Sequence, residues 1–516
     1  MQTGSKSAHE WFVGAGTRTF ISKQNKNLAW NLLHTEQLFS QKDKAALLMD
    51  DIKHDIEKRG VDTRELRNPY SPIYWNSIIQ KGIQKNIDAD KLGLLMLYSP
   101  VTTEGSDDRY KISRYRQVFK SLMERRLDVI RWMEEFGENA SVMLMYKVDA
   151  WTNTTDNTKE LCTQIFGHIG TWDVSSVTTM MALFESKKTF NDDISQWNVS
   201  NVTNMSHMFE DAQQFNQPLE KWDVSKVKDM SRMFMNNHYL NQFNQPLEKW
   251  DVSNVTNMSF MFDNAKRFNQ PLEKWDVSNV TNMYGMFMNA QEFNQPLGKW
   301  DVSNVIHMSD MFQNANRFNQ PLEQWDVSNV TNMSYMFDRA ISFNQPLENW
   351  DVSNVNGMIC MFQSAEDFNQ PLERWDVSNV THMSSMFKNA ENFNQPLEQW
   401  DVSNVKSMSS MFENAENFNQ PLEQWDVSNV IDMSHMFKNA YSFNQPLEQW
   451  DVSNVIDMYG MFESARLFNQ PLGRWDVSNV SLVMHMFQNA TQFRQDIGSW
   501  NLKKVYASMM NIQNPV

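Results

Sequence analysis

From Trp172 to the end of the chain, hydrophobic and polar positions recur with a period of 25 residues. Counting each tryptophan as position 0, apolar side chains return at 2, 5, 8, 11, 12, 15, 18 and 22. In one copy they are Trp325, Val327, Val330, Met333, Met336, Phe337, Ala340, Phe343 and Leu347. Positions 8, 11, 12 and 15 have the i, i+3, i+4, i+7 spacing of a helical stripe, with Ser328 or Asn329 placed to cap it. Trp325 and Val327 alternate with Asp326, which predicts a short strand. Pro346 ends the helical pattern and turns the chain toward the next strand. Each unit therefore reads as one short strand, one short helix and a turn.

No unit of this size buries nine apolar side chains alone, but stacked copies do, with Trp over Trp and Met over Met. A period of 20 to 50 residues means an array whose units contact their neighbours. Thirteen units begin at Trp172, Trp197, Trp222, Trp250 and then every 25 residues to Trp475, with Trp500 opening a degenerate tail. At about 4.8 Å per coil the stack reaches on the order of 60 Å. The paired methionines read as core filler rather than as a cofactor box, because an unbranched thioether adapts to irregular gaps. The terminal copies are atypical, with Phe190-Asn-Asp-Asp-Ile at one end and Phe493-Arg-Gln-Asp-Ile at the other, as end units meeting solvent are. Residues 501–510 read as a capping half-unit. Three extra residues between Trp222 and Trp250 predict a bulge or longer loop within 235–242.

The quoted residues, Leu-x-x-Trp-Asp-Val-Ser-x-Val-Thr-x-Met-x-x-Met-Phe-x-x-Ala-x-x-Phe-Asn-Gln, resemble the BspA-like bacterial surface-protein repeat, which also occurs in mycoplasma lipoproteins and large DNA viruses. The resemblance implies a leucine-rich-repeat-like solenoid, roles in adhesion or protein binding, and no enzyme activity. The fold expected is thus an α/β repeat of about 13 coils at 161–510, preceded by a mainly α-helical domain at 1–160 and followed by a tail at 511–516.

Residues 1–160 carry no copy of the repeat. Apolar residues spaced three and four apart predict helices near 27–34, 43–52, 74–84 and 109–136, and residues 151–158 read as a polar linker.

Composition adds limits. The 516 residues exceed one ordinary core, and no apolar run is long enough to span a membrane. The start, Met1 to Ser7, has no apolar signal stretch, so classical secretion is not expected. Two cysteines, Cys162 and Cys360, give no disulfide framework. Of the family's settings, an intracellular (host cytoplasmic) or virion protein of a large DNA virus is the expectation.

The net charge of −16 is uneven. Residues 1–160 hold 24 Lys and Arg against 22 Asp and Glu, leaving 22 and 40 for the remainder. An acidic repeat body does not track a phosphate backbone, so no nucleic acid is expected on it; protein partners, basic ones among them, are.

The chemistry-bearing motifs are missing: no phosphate-binding glycine loop, no nucleophile elbow and no helical His-Glu-x-x-His. No catalytic residue, cofactor or metal is expected. Position 1 is Asp in twelve units. Stacked carboxylates admit calcium or, without the Gly-rich calcium turns, hydrogen bonding to backbone N–H at a turn. The Asn at 19, such as Asn269 and Asn294, predicts an amide ladder that satisfies backbone.

Core positions hardly change between copies, whereas 10, 13, 16 and 17 vary on what reads as the outer side of the helix. Binding surfaces arise that way, and drift on a solvated face gives the same variation. Phe260, Tyr335, Tyr441 and Leu467 are the candidate protein contacts, since aromatics are enriched at interfaces. The functional expectation is a non-enzymatic interaction scaffold or adaptor. The alternatives are a capsid-associated or cementing component of a virus particle, and an enzyme within 1–160.

Overall fold

The computed structural model describes residues 140–152, 158–237 and 241–501. The chain divides into two units between Ile169 and Gly170.

In the first unit, α1 (Ala140–Thr152) buries Leu144, Val148 and Trp151, spaced as one helical face, and packs on α2 (Thr158–Phe166). Lys147 lies 5.2 Å from the Phe166 ring centre and Lys159 4.8 Å from that of Trp151, so both ammonium groups face aromatic rings. Trp151 and Thr152 thus belong to a helix, not to a linker. The helices expected at 27–34, 43–52, 74–84 and 109–136 lie outside the described residues.

The second unit corrects the expected α/β class. Among its described residues the coils contain neither an α-helix nor a strand. Neighbouring coils meet through one parallel bridge at position 7, in twelve successive steps from Thr179–Asn204 to Asp457–Leu482. The leucine-rich-repeat-like coil of strand plus helix is therefore not the architecture of this unit, and most of the helical domain expected at 1–160 lies outside the described residues. The remainder of each coil is turns.

The reason lies in where the amides point. In the coil from Trp250, Met258, Phe260, Phe262 and Asn264 donate N–H to the carbonyls of Asn282, Tyr284, Met286 and Met288 one coil on, at 2.8 to 2.9 Å. The residues between them donate within the coil, Met261 to Met258, Asp263 to Phe260 and Ala265 to Phe262. An α-helix commits every amide to its own i−4 carbonyl, whereas here alternate amides leave the segment. The geometry requires a left-handed residue at 10 and 14. Phe260, Asn264, Asn289, Asp310 and their equivalents have φ between 54° and 60°, as the third residue of a type II turn must. Each non-glycine residue there costs about 1–2 kcal/mol, offset by the inter-coil hydrogen bonds. Asn, frequent at 14, tolerates this region best among ordinary residues.

Two consecutive tight turns carry positions 8, 11, 12 and 15 inward just as a helix would, so Met258, Met261, Phe262 and Ala265 are all fully buried. The rings stack by column. Phe262 lies 5.6 Å from Phe287 and 4.1 Å from Phe268, and Trp275 lies 6.4 Å from Trp300 with planes 2° apart. From Trp222 to Trp500 each buried indole N–H is used, Trp300 Nε1 donating to Leu272 O at 3.0 Å.

At the three-residue insertion, Asn237 N donates to Asp211 Oδ1 and Asn241 Nδ2 to Phe234 O, while residues 238–240 lie outside the described set. The expected cap at 502–510 lies outside it as well.

Candidate functional site

Most polar positions in the coils are committed to holding the coils together. Asn294 N donates to Asn269 Oδ1 at 3.0 Å, and Gln295 Nε2 donates to the same oxygen at 2.9 Å. The pair repeats up the stack and forms the amide ladder at 19. Beside it, Asn344, Asn369 and Asn394 with Asp367, Asn392 and Asn417 line an open polar groove. At position 1 the carboxylate closes a local turn, as where Ser403 N donates to Asp401 Oδ1 at 3.0 Å. The Ser225, Ser278, Ser353, Ser403 and Ser478 hydroxyls and amides hold Asp223, Asp276, Asp351, Asp401 and Asp476 below the usual carboxylate pKa, so they are charged. Among the described residues no group of three or more His, Cys, Asp or Glu is arranged to hold a metal ion.

Positions 10, 13 and 14 form a column at the two tight turns, not the outer side of a helix. Phe260 is half-buried there, with the Arg232 guanidinium 4.9 Å from its ring centre and Tyr284 edge-on at 4.8 Å. Its ring covers Gly285 so closely that a Cβ would stand 2.7 Å from Cδ1. Tyr335 stands one coil from Cys360 in this column, and burial raises the Cys360 thiol pKa. The same column encloses carboxylates. Burial pushes Asp263 up to about 6 against the opposing bonds from Asn289 and Asn264, and it likewise pushes Asp310 up to about 6 and raises Asp338.

The structure brings two of the four candidate contacts together. Leu467 N donates to Tyr441 O at 3.3 Å on adjacent coils. Tyr441 is half-buried under Arg466, whose guanidinium carbon lies 4.3 Å from its ring centre, and Leu467 is 52% exposed. Phe260 and Tyr335 sit three coils apart and do not join them.

Sequence reasoning missed position 6. Thr203, Thr256, Thr281, Thr331 and Thr381 occupy it in many coils, but isoleucine replaces threonine at Ile306, 42% exposed, and on two adjacent coils near the C-terminal end, at Ile431 and Ile456. They are 47% and 49% exposed, and Leu482 on the next coil is 46% exposed. The signal was readable as an apolar residue breaking a threonine column.

Residues 153–242, 235–348, 318–424 and 416–515 each match the family described as "Mycoplasma protein of unknown function, DUF285". Together these stretches run from 153 to 515, more than half of the chain.

The chain belongs to the DUF285 family.

No curated protein matches it. The coil geometry of this DUF285 chain gives the family's repeat a physical meaning: nearly every near-invariant letter is either buried or bonded to the next copy. None of the helices among the described residues is long and apolar enough to cross a membrane.

Proposed function

We propose that the repeat unit is a non-enzymatic protein-binding scaffold. One observation carries this reading: apart from the insertion after Trp222 the backbone frame repeats from coil to coil, while the outward side chains at 6, 16, 17 and 24 change along it. A rigid frame with a variable surface is how repeat proteins acquire partners. The BspA-like character of the repeat, which would make it an adhesion or protein-binding array, supports the same reading. The frame also leaves little to catalysis, because its recurrent polar groups already bond one another.

The test is crosslinking mass spectrometry on the full-length protein in the cells that make it. Lys274, Lys299 and Lys406 are exposed on three different coils. Reproducible linkages from at least one of them to another protein are expected. Intramolecular linkages from all three, with no intermolecular ones, would overturn the proposal.

A further inference from the structure

Along position 23 the coils carry a ladder of exposed ion pairs, each Glu reaching the cation at position 24 of the next coil. Glu220 pairs with Lys249, Glu248 with Lys274, Glu273 with Lys299, Glu348 with Arg374 and Glu448 with Arg474, at 2.9 to 3.5 Å. The ladder breaks at Gly298 and at Glu323, whose register partner is Asn349, and later it lapses for three consecutive coils. Glu373, Glu398 and Glu423 face Gln399, Gln424 and Gln449 instead, and they form no ion pair among the described residues. Three residues after each stands an exposed aspartate, Asp376, Asp401 and Asp426. Six carboxylates thus lie on four successive coils, and none of them forms an ion pair among the described residues.

The aliphatic break at position 6 begins where this acidic band ends. Ile431 and Ile456 stand in register, since Ile456 N donates to Ile431 O at 2.9 Å; on the next coil Ser481 takes position 6, and Leu482 beside it donates its N–H to Ile456 O at 3.3 Å. Position 6 and the aspartate of position 1 flank a single tight turn, closed by Val430 N to Val427 O at 2.9 Å. The ends of that turn, Val427 and Val430, lie within about 7 Å of each other, and Asp426 and Ile431 are the residues next to either end. Acidic band and aliphatic patch therefore meet in the coil from Trp425. Lys406, at position 6 one coil before Ile431, marks the aliphatic boundary.

Neither half needs to be there for the fold. Thr, Lys, Asn or Ser serves at position 6 in all other coils except that of Ile306, and Lys or Arg serves at 24 in the coils that pair. Both departures coincide on one stretch of surface, and both favour the same chemistry. We propose that this strip docks a basic, aliphatic segment of a partner protein, its Lys or Arg residues on the Glu and Asp band and its Ile, Leu or Val residues on Ile431, Ile456 and Leu482. Five coils at about 4.8 Å span roughly 24 Å, the length of about seven extended residues. Unbalanced carboxylates speed the encounter and set its orientation, while the aliphatic contact supplies the part that salt does not screen.

This inference rests on the scaffold reading and names its partner chemistry. The experiment uses the full-length protein and a fluorescent synthetic peptide of alternating Lys and Ile, titrated by anisotropy at low and high salt. Control peptides replace every Ile by Ser or every Lys by Glu. Binding is expected for the Lys/Ile peptide alone, weakening with salt. The I431T/I456T variant, which restores the residue other coils carry, and the E398Q/E423Q variant are each expected to bind about tenfold more weakly. Circular dichroism indistinguishable from the parent shows that the frame persists. The inference is overturned by absence of binding, by equal binding of the Ser-for-Ile peptide, or by unchanged affinity in either variant. Any of these leaves the scaffold reading to be judged by the crosslinks from Lys274, Lys299 and Lys406.

Discussion

The amide ladder yields the sharpest quantitative test. Asn369 Oδ1 accepts N–H from Asn394 at 3.0 Å and from Gln395 Nε2 at 3.0 Å. Replacing Asn369 by Ala removes that acceptor. Gln395 Nε2 keeps a bond to Asn369 O at 3.1 Å, so the orphan is the Asn394 amide. A buried donor left without a partner costs about 1–3 kcal/mol. Because position 19 is half-buried, we expect the lower part of that range, about 1–2 kcal/mol. A stack of repeats need not unfold in one step, so a global midpoint is the wrong observable. Hydrogen exchange reads the local opening directly. The Asn394 amide should exchange roughly five to thirty times faster in Asn369→Ala, at about 1.4 kcal/mol per decade. Asn369→Asp keeps an oxygen at the same place and should restore much of the protection. Parent-like exchange at Asn394 in the Ala variant, or an Asp variant as fast as Ala, would sink the idea that the ladder carries backbone satisfaction.

Other outcomes follow from the turn column and the core. Asp263 and Asp310 have folded pKa values raised to about 6 from 3.8, so the folded state holds their protons more tightly than the unfolded state. Their contribution is fully present below pH 3.8 and is lost as pH rises through about 6. Urea denaturation should therefore show the coils near Trp250 gaining stability between pH 7 and pH 5, and Asp263→Asn should raise stability at pH 7 and flatten that dependence. For buried Asp263 the shift corresponds to on the order of 3 kcal/mol. Gly285→Ala drives a methyl into the Phe260 ring and should destabilise by about 1–3 kcal/mol. Adding Phe260→Ala should recover part of that loss, a non-additivity that a double-mutant cycle measures. Phe362→Ala removes a fully buried ring that stacks on Phe337 and Phe387 at 5.6 and 5.7 Å, and should cost about 3–5 kcal/mol, seen as local exchange across those coils.

The residues that face inward were legible because burial depends only on which positions recur as apolar. Trp325, Val327, Met333, Met336 and Phe337 read as core and are buried. The Asp401 turn and the Asn269 ladder were legible for a related reason. A short polar side chain repeated at fixed register has few partners except the backbone beside it and its own copy one coil away. The candidate contacts were legible only as variation. Variation located the turn column, but it did not show that Phe260 is held between Arg232 and Gly285, or that the threonine column breaks at Ile431 and Ile456.

By itself the sequence determined the period, the inward set, the turns closed by Asp and the register in which copies meet. Only the tertiary structure decided that positions 8 to 15 form two left-handed-containing turns rather than a helix. The apolar spacing suits both, and the choice falls to the amides of residues such as Met258, Phe260, Phe262 and Asn264. An isolated segment has only its own carbonyls to offer those N–H groups. A stacked coil presents Asn282, Tyr284, Met286 and Met288 at bonding distance, and this neighbour, absent from any local pattern, offsets the cost of the left-handed residues at 10 and 14.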